Sequence, residues 1–315
     1  MAAAAVELAP PGLPDALALM ARARGENFPV ALRLLAPAER RALLAVYGFA
    51  RLADELGDEL GGDRLAALDW LEREIDRAYR ARCAGGVSEI AKQTTQAQPA
   101  AAQDQRSAPG AGAAGLLSAL REVLAERELP REALLRLIEA NRLDQRVSHY
   151  ENWVQLRGYC HLSADPVGEL VLAIFGARTP ERVALSDRVC TGLQLTEHLQ
   201  DFAEDLARGR VYLPGEDLDR SGCSREQPSG APLRAAVAFE VARARELLWA
   251  GAPLAASLRG RARVAVAAFA GGGLAALERI ERAGFEVSRG VPAAGRWARV
   301  RWTARVLRAA GGLPR

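Results

Sequence analysis

Leu193 to Pro214 reads LQLTEHLQDFAEDLARGRVYLP, and its polar residues fall in a helical rhythm. Gln194, Glu197, Asp201, Glu204 and Asp205 recur at steps of three and four. At about 3.6 residues per turn that is one stripe along a helix. Gly209 marks the expected end of the helix, with Arg208 and Arg210 on either side of it. Carboxylates on successive turns collect hard divalent cations, and Mg²⁺ in turn collects phosphate oxygens. The stripe therefore predicts an enzyme that ionises a diphosphate, provided that a second acidic element supplies the other half of the site.

Ala45 to Glu59, AVYGFARLADELGDE, has the right pattern. Tyr47, Arg51, Asp54 and Asp58 are spaced by four, three and four and share one helical face over about 16 Å. Acid pairs four apart are common on solvated helices, and Glu55 with Glu59 reads as that ordinary kind. Asp54 and Asp58 differ in context, because their helix is strongly apolar and a tyrosine shares their face. Two such clusters facing each other would hold Mg²⁺ over a diphosphate, and arginines beside them would stabilise the departing charge.

Composition agrees with a helical enzyme. Of 315 residues, 50% are hydrophobic and only 5% aromatic, and strand-type runs are nearly absent. Alanine, leucine, arginine and glutamate dominate, all good helix formers. The net charge of +3 is too small to argue for a nucleic-acid partner. Four widely spaced cysteines fit neither a zinc site nor a disulfide framework, which points to a reducing cytoplasm. The N-terminus has no signal-peptide pattern, and no run is long and apolar enough to span a bilayer.

Periodicity predicts an all-α chain of about ten helices in a single domain spanning 1–315. Asp63 and Thr179 are expected helix caps, and one helix should run from Pro180 to Gly209. Residues 84–115 lack periodicity and read as a disordered insertion or long loop. Residues 215–231 read as a polar loop. GAGAAG, Gly110 to Gly115, matches a dinucleotide fingerprint formally, but no strand precedes it, so glycine-rich linker is the better reading.

With these motifs quoted, the chain resembles the squalene/phytoene synthase family of head-to-head prenyl synthases. The likeness runs from ENFPVALRLL near Asn27 to the helices around residue 280, and three motifs occur in family order. YGFARLADELGD matches the first aspartate motif, YCHLSADPVGELVL the tyrosine segment, and LQLTEHLQDFAEDLARGRVYLP the second aspartate motif. The resemblance implies an isoprenoid-synthase helical bundle with a central apolar cavity, a prenyl diphosphate substrate and Mg²⁺ as cofactor. It also implies roles. Asp54, Asp58, Asp201 and Asp205 would hold metal, with Glu197 and Glu204 as additional ligands. Arg51 and Arg210 would contact diphosphate, Tyr159 and Tyr47 would steady a carbocation or position water, and Asn27, Phe28, Gln194 and Tyr212 would line the substrate.

Departures from the family pattern narrow the reading. Many members have Asn four residues before the first aspartate of the second motif and Arg directly before it; here these are Glu197 and Gln200. Losing an arginine and gaining a carboxylate disfavours binding two prenyl diphosphates at once. ENFPVA, ANRLDQRV and LQLTEHLQDFAED look most like the bacterial hydroxysqualene synthases of hopanoid pathways, which ionise presqualene diphosphate and trap the cation with water, without NADPH. The rivals are condensation of two prenyl diphosphates, giving presqualene diphosphate, squalene or phytoene, and a non-catalytic helical scaffold with a relict site. Such a pathway role implies neighbouring enzymes of squalene biosynthesis as partners. His198, one residue off the acidic stripe, is expected to pack rather than to react. The C-terminal helix at 295–310 sets five arginines beside Trp297 and Trp302. That pattern fits either peripheral contact with the inner face of an anionic membrane or a solvated basic face packed through its tryptophans.

Overall fold

Pro37 opens a 22-residue helix, α1 (Pro37–Asp58), in the computed structural model, which describes residue 10 and residues 35–83, 112–291 and 293–311. The proline needs no hydrogen-bond partner in a first turn, and the Glu39 carboxylate accepts the Ala36 N–H at 3.1 Å. Phe49, Leu52 and Leu56 of α1 are fully buried. Each contributes about 1.5–3 kcal/mol of burial. Around them pack α2 (Arg64–Cys83), α3 (Ala113–Glu126) and α4 (Arg131–Asp144). Asp63 does cap α2, accepting the Ala66 N–H at 2.9 Å.

A second apolar cluster is built from α5 (Trp153–Ser163), α7 (Pro180–Gln200), α10 (Gly230–Gly251), α12 (Gly260–Arg282) and α13 (Arg296–Gly311). Helix α6 (Asp165–Ile174) joins the two clusters: Leu170 and Ile174 belong to the first and Leu172 to the second. Short helices α8 (Phe202–Ala207), α9 (Gly215–Arg220) and α11 (Pro253–Ser257) complete the set among the described residues. The fold is all-α, as the periodicity predicts.

Three expectations need correcting. Helix 180–209 is not continuous: α7 stops at Gln200, Asp201 leaves helical geometry (φ −93°, ψ 4°), and α8 resumes at Phe202. The backbone ladder nearly survives, with Asp201 N–H donating to Glu197 O and Asp205 N–H to Asp201 O, both at 2.9 Å. The acidic stripe is therefore bent at its central aspartate. The polar loop contains α9, because Asp217 is buried there against Arg220 and Arg243 at 2.8 and 2.7 Å. A tertiary ion-pair network overrides a polar local sequence. Helix α3 starts at Ala113, inside the expected 84–115 insertion; residues 84–111, like Asn27 and Phe28, lie outside the described residues.

Candidate active site

The two acidic motifs meet through arginine. After α8, Gly209 adopts a left-handed conformation (φ +76°), which glycine takes without steric cost, and the chain leaves extended. This segment is fixed to residues 148–151: Val211 N–H donates to Ser148 O at 2.9 Å and Gly215 N–H to Tyr150 O at 2.8 Å. That anchoring sends the Arg210 guanidinium to Asp58 on α1, with Nη2 to Oδ1 at 2.8 Å. Burial works against the Arg210 charge, but the hydrogen bond to Asp58 and the nearby Asp144 raise its pKa further. A more exposed contact, Arg208 to Glu59 at 3.3 Å, runs parallel to it.

On α1, Arg51 pairs with Asp54 at 3.5 Å. Asp54 also accepts a hydrogen bond from Asn141 Nδ2 of α4 at 3.3 Å. Gly57 makes this approach possible, since a Cβ there would stand 2.5 Å from Asn141 Oδ1. On the second motif Asp205 is half-buried while Glu197, Asp201 and Glu204 are exposed. Burial and the like charge of Asp201 push the Asp205 carboxyl up to about 7. Such strain is what a cation between the carboxylates relieves. The donors are hard oxygens, which suits Mg²⁺. Among the described residues no three carboxylate, histidine or cysteine side chains already converge on one point.

Beside the carboxylates stands an aromatic wall. Tyr159 of α5 and Tyr212 of the extended segment both donate their hydroxyls to Asp144, the last residue of α4, at 2.8 and 3.1 Å. Their ring centroids are 5.4 Å apart, and Tyr150 stands 5.4 Å from Tyr159 and 6.0 Å from Tyr212. The His198 ring stacks on Tyr212 at 4.0 Å and accepts from Gln194 Nε2 at its own Nε2, 2.9 Å away. Burial pulls its pKa down to about 3, so the ring is neutral. Burial likewise pushes the three tyrosine hydroxyls above their ordinary range, while the Asp144 carboxyl is pushed up to about 6. Among the described residues two shielded polar atoms here lack a hydrogen-bond partner: the Tyr150 hydroxyl and His198 Nδ1.

The structure thus joins Asp58, Arg210, Tyr159, Tyr212 and Gln194 to one neighbourhood through Asp144 and His198. Tyr47 is buried on α1, and Glu197 and Glu204 are exposed, Glu204 pairing with Arg208 at 3.0 Å. Three members escaped the sequence reading: Asp144, Asn141 and Tyr150. A signal existed, because Asn141 and Asp144 continue the buried stripe of Leu134, Leu137 and Ile138 at steps of three and four. Polar residues interrupting an apolar stripe are costly unless partnered, and here the partners are Asp54, Tyr159 and Tyr212.

The squalene/phytoene synthase family model matches residues 21–305. The chain belongs to the squalene/phytoene synthase family. It is 36% identical to a hydroxysqualene synthase of Rhodopseudomonas palustris over 244 residues, 75% of this chain and 72% of that one. Against a hydroxysqualene synthase of Sinorhizobium fredii the identity is 34% over 212 residues, 66% of this chain and 61% of the relative. The solved squalene synthase HpnC from Alicyclobacillus acidocaldarius superposes with a TM-score of 0.70 at 37% identity, covering 86% of this chain and 95% of that one. A dehydrosqualene synthase in complex with a ligand shares the fold, with a TM-score of 0.72 at 20% identity. This member of the squalene/phytoene synthase family is accordingly an enzyme of prenyl diphosphate conversion.

Proposed function

We propose that this enzyme takes a single, already joined C30 substrate, presqualene diphosphate, and converts it to hydroxysqualene and diphosphate. The C–O bond to diphosphate breaks heterolytically and the electron pair leaves with the diphosphate. The cyclopropylcarbinyl cation rearranges inside an apolar cavity. A water oxygen then bonds to the cation and loses a proton, so neither oxidant nor reductant is consumed. Asp54, Asp58, Asp201 and Asp205, with Glu197 and Glu204 at the margin, would hold Mg²⁺. Bound there, the metal would neutralise charge developing on the leaving diphosphate. Arg210 and Arg51 would bind the same oxygens, Arg210 exchanging its bond with Asp58 for one to phosphate. Asn27 and Phe28 would bind substrate, and Tyr47 with Tyr159 would steady the cation or position water.

The observation that carries the water-capture reading is the aromatic wall with its two unpartnered polar atoms. A carbocation is steadied by the faces of tyrosine and neutral imidazole rings. Because Tyr159 and Tyr212 aim their hydroxyl protons at Asp144, their oxygen lone pairs are free to face the cation. Tyr150 and His198 Nδ1 offer the donors that a captured water requires. The likeness to two hydroxysqualene synthases supports the same choice, as do Glu197 and Gln200 in place of the residues usual in members that bind two diphosphates. Turnover of presqualene diphosphate in ¹⁸O-labelled water tests it: the alcohol product should carry the label. An unlabelled product or a hydrocarbon would sink the reading.

A further inference from the structure

Charge is unevenly distributed along this chain. From Leu247 to Arg315 there are twelve arginines and three acids, a net of +9; the whole chain is +3, so residues 1–246 carry −6. The three acids, Glu278, Glu281 and Glu286, lie before α13, and from Val287 onward there is none.

Helix α13 concentrates this charge. It packs on α12 through Val306, fully buried, and Trp302, whose indole N–H donates to Glu278 at 2.8 Å. Trp302 also lies 6.3 Å from Trp249, so this tryptophan belongs to the protein. Trp297 does not. At about 100° per residue, Trp297, Val300 and Ala304 fall on the side of the helix opposite Val306. Trp297 is 75% exposed and Val300 50%, an adjacent pair of large apolar side chains left in solvent. Exposed Arg301, Arg305 and Arg308 border that stripe on one side and Arg296 on the other, its guanidinium 5.4 Å from the Trp297 ring. Arg263 reaches Leu307 O at 3.4 Å, which brings the start of α12, with exposed Arg259 and Arg261, beside the end of α13.

A solvated basic face accounts for the arginines but not for an indole and a valine at its centre. An acidic protein or nucleic acid would likewise meet only the charge. The boundary of an anionic bilayer meets both, since indole settles at the headgroup level and guanidinium groups pair with lipid phosphates. We propose that α13, with the start of α12, docks this enzyme on an anionic lipid surface with Trp297 and Val300 in the interface.

Co-sedimentation of the full chain with vesicles tests this, comparing phosphatidylcholine alone with phosphatidylcholine doped with phosphatidylglycerol. The wild type should bind only the doped vesicles, and less in high salt. Trp297→Asp with Val300→Asp, and separately Arg296→Glu with Arg308→Glu, should each weaken partitioning by about tenfold or more. Their unfolding midpoints should not change, because all four side chains are exposed. Absence of wild-type binding to doped vesicles would overturn the proposal, as would binding unaltered in either double variant. If charge reversal abolishes binding while the Trp297/Val300 variant binds normally, the face serves an acidic macromolecule and the lipid assignment fails.

Discussion

Asp144 holds two tyrosine hydroxyls and so fixes the aromatic wall by hydrogen bonding. Its folded pKa of about 6 exceeds that of an unfolded aspartate, so protonation favours the fold. This contribution is complete below the unfolded value of about 4 and is lost as pH rises through about 6. The stability of wild type relative to Asp144→Asn should therefore fall between those two values and stay flat above neutrality, as read by denaturant unfolding across that range. The same variant leaves one tyrosine hydroxyl poorly partnered and should lower turnover by about tenfold. Asp54→Ala and Asp201→Ala remove charges from half-exposed and exposed positions, so they should fold normally. Each should cost about 100-fold or more in diphosphate release. If release were unchanged in both, a relict scaffold would be the better description. The aspartates could be read in the sequence because their spacing on two helices is a local property. Asp144 could not be read as readily, because its partners come from residues 159 and 212 and only the fold brings them together.

Between elements, the crossing of α1 and α4 does the positioning. Gly57 sits in the first aspartate motif, where Asn141 Oδ1 would meet an added Cβ at 2.5 Å. Gln145 Nε2 also donates to Gly57 O at 2.8 Å. Gly57→Ala should push α4 outward, break the bond from Asn141 to Asp54 and cost about 1–3 kcal/mol of stability. Because Asp54 loses its orienting partner, turnover should fall more than the stability loss alone explains, measured well below the unfolding midpoint. Helix caps and prolines made several element starts legible: Asp63, Thr179 and Pro37 all stand where local chemistry puts them. The breaks were not legible. The bend at Asp201 occurs in good helix-forming sequence, and α9 forms in poor sequence around the buried Asp217 network. In both, contacts distant in sequence outweigh propensity.

At the scale of the molecule, charge separates along the chain, residues 1–246 summing to −6 and residues 247–315 to +9. Periodicity alone was enough for an all-α fold, because the thirteen helices among the described residues leave little else to build a core from. The proposed substrate choice is a finer matter, argued from Glu197 and Gln200 and from a wall with two unpartnered hydrogen-bond donors. The decisive measurement offers the purified enzyme, with Mg²⁺ and without NADPH, either presqualene diphosphate or farnesyl diphosphate and identifies the products. Hydroxysqualene from presqualene diphosphate, with farnesyl diphosphate left unconsumed, is the predicted result; efficient turnover of farnesyl diphosphate alone would contradict the account.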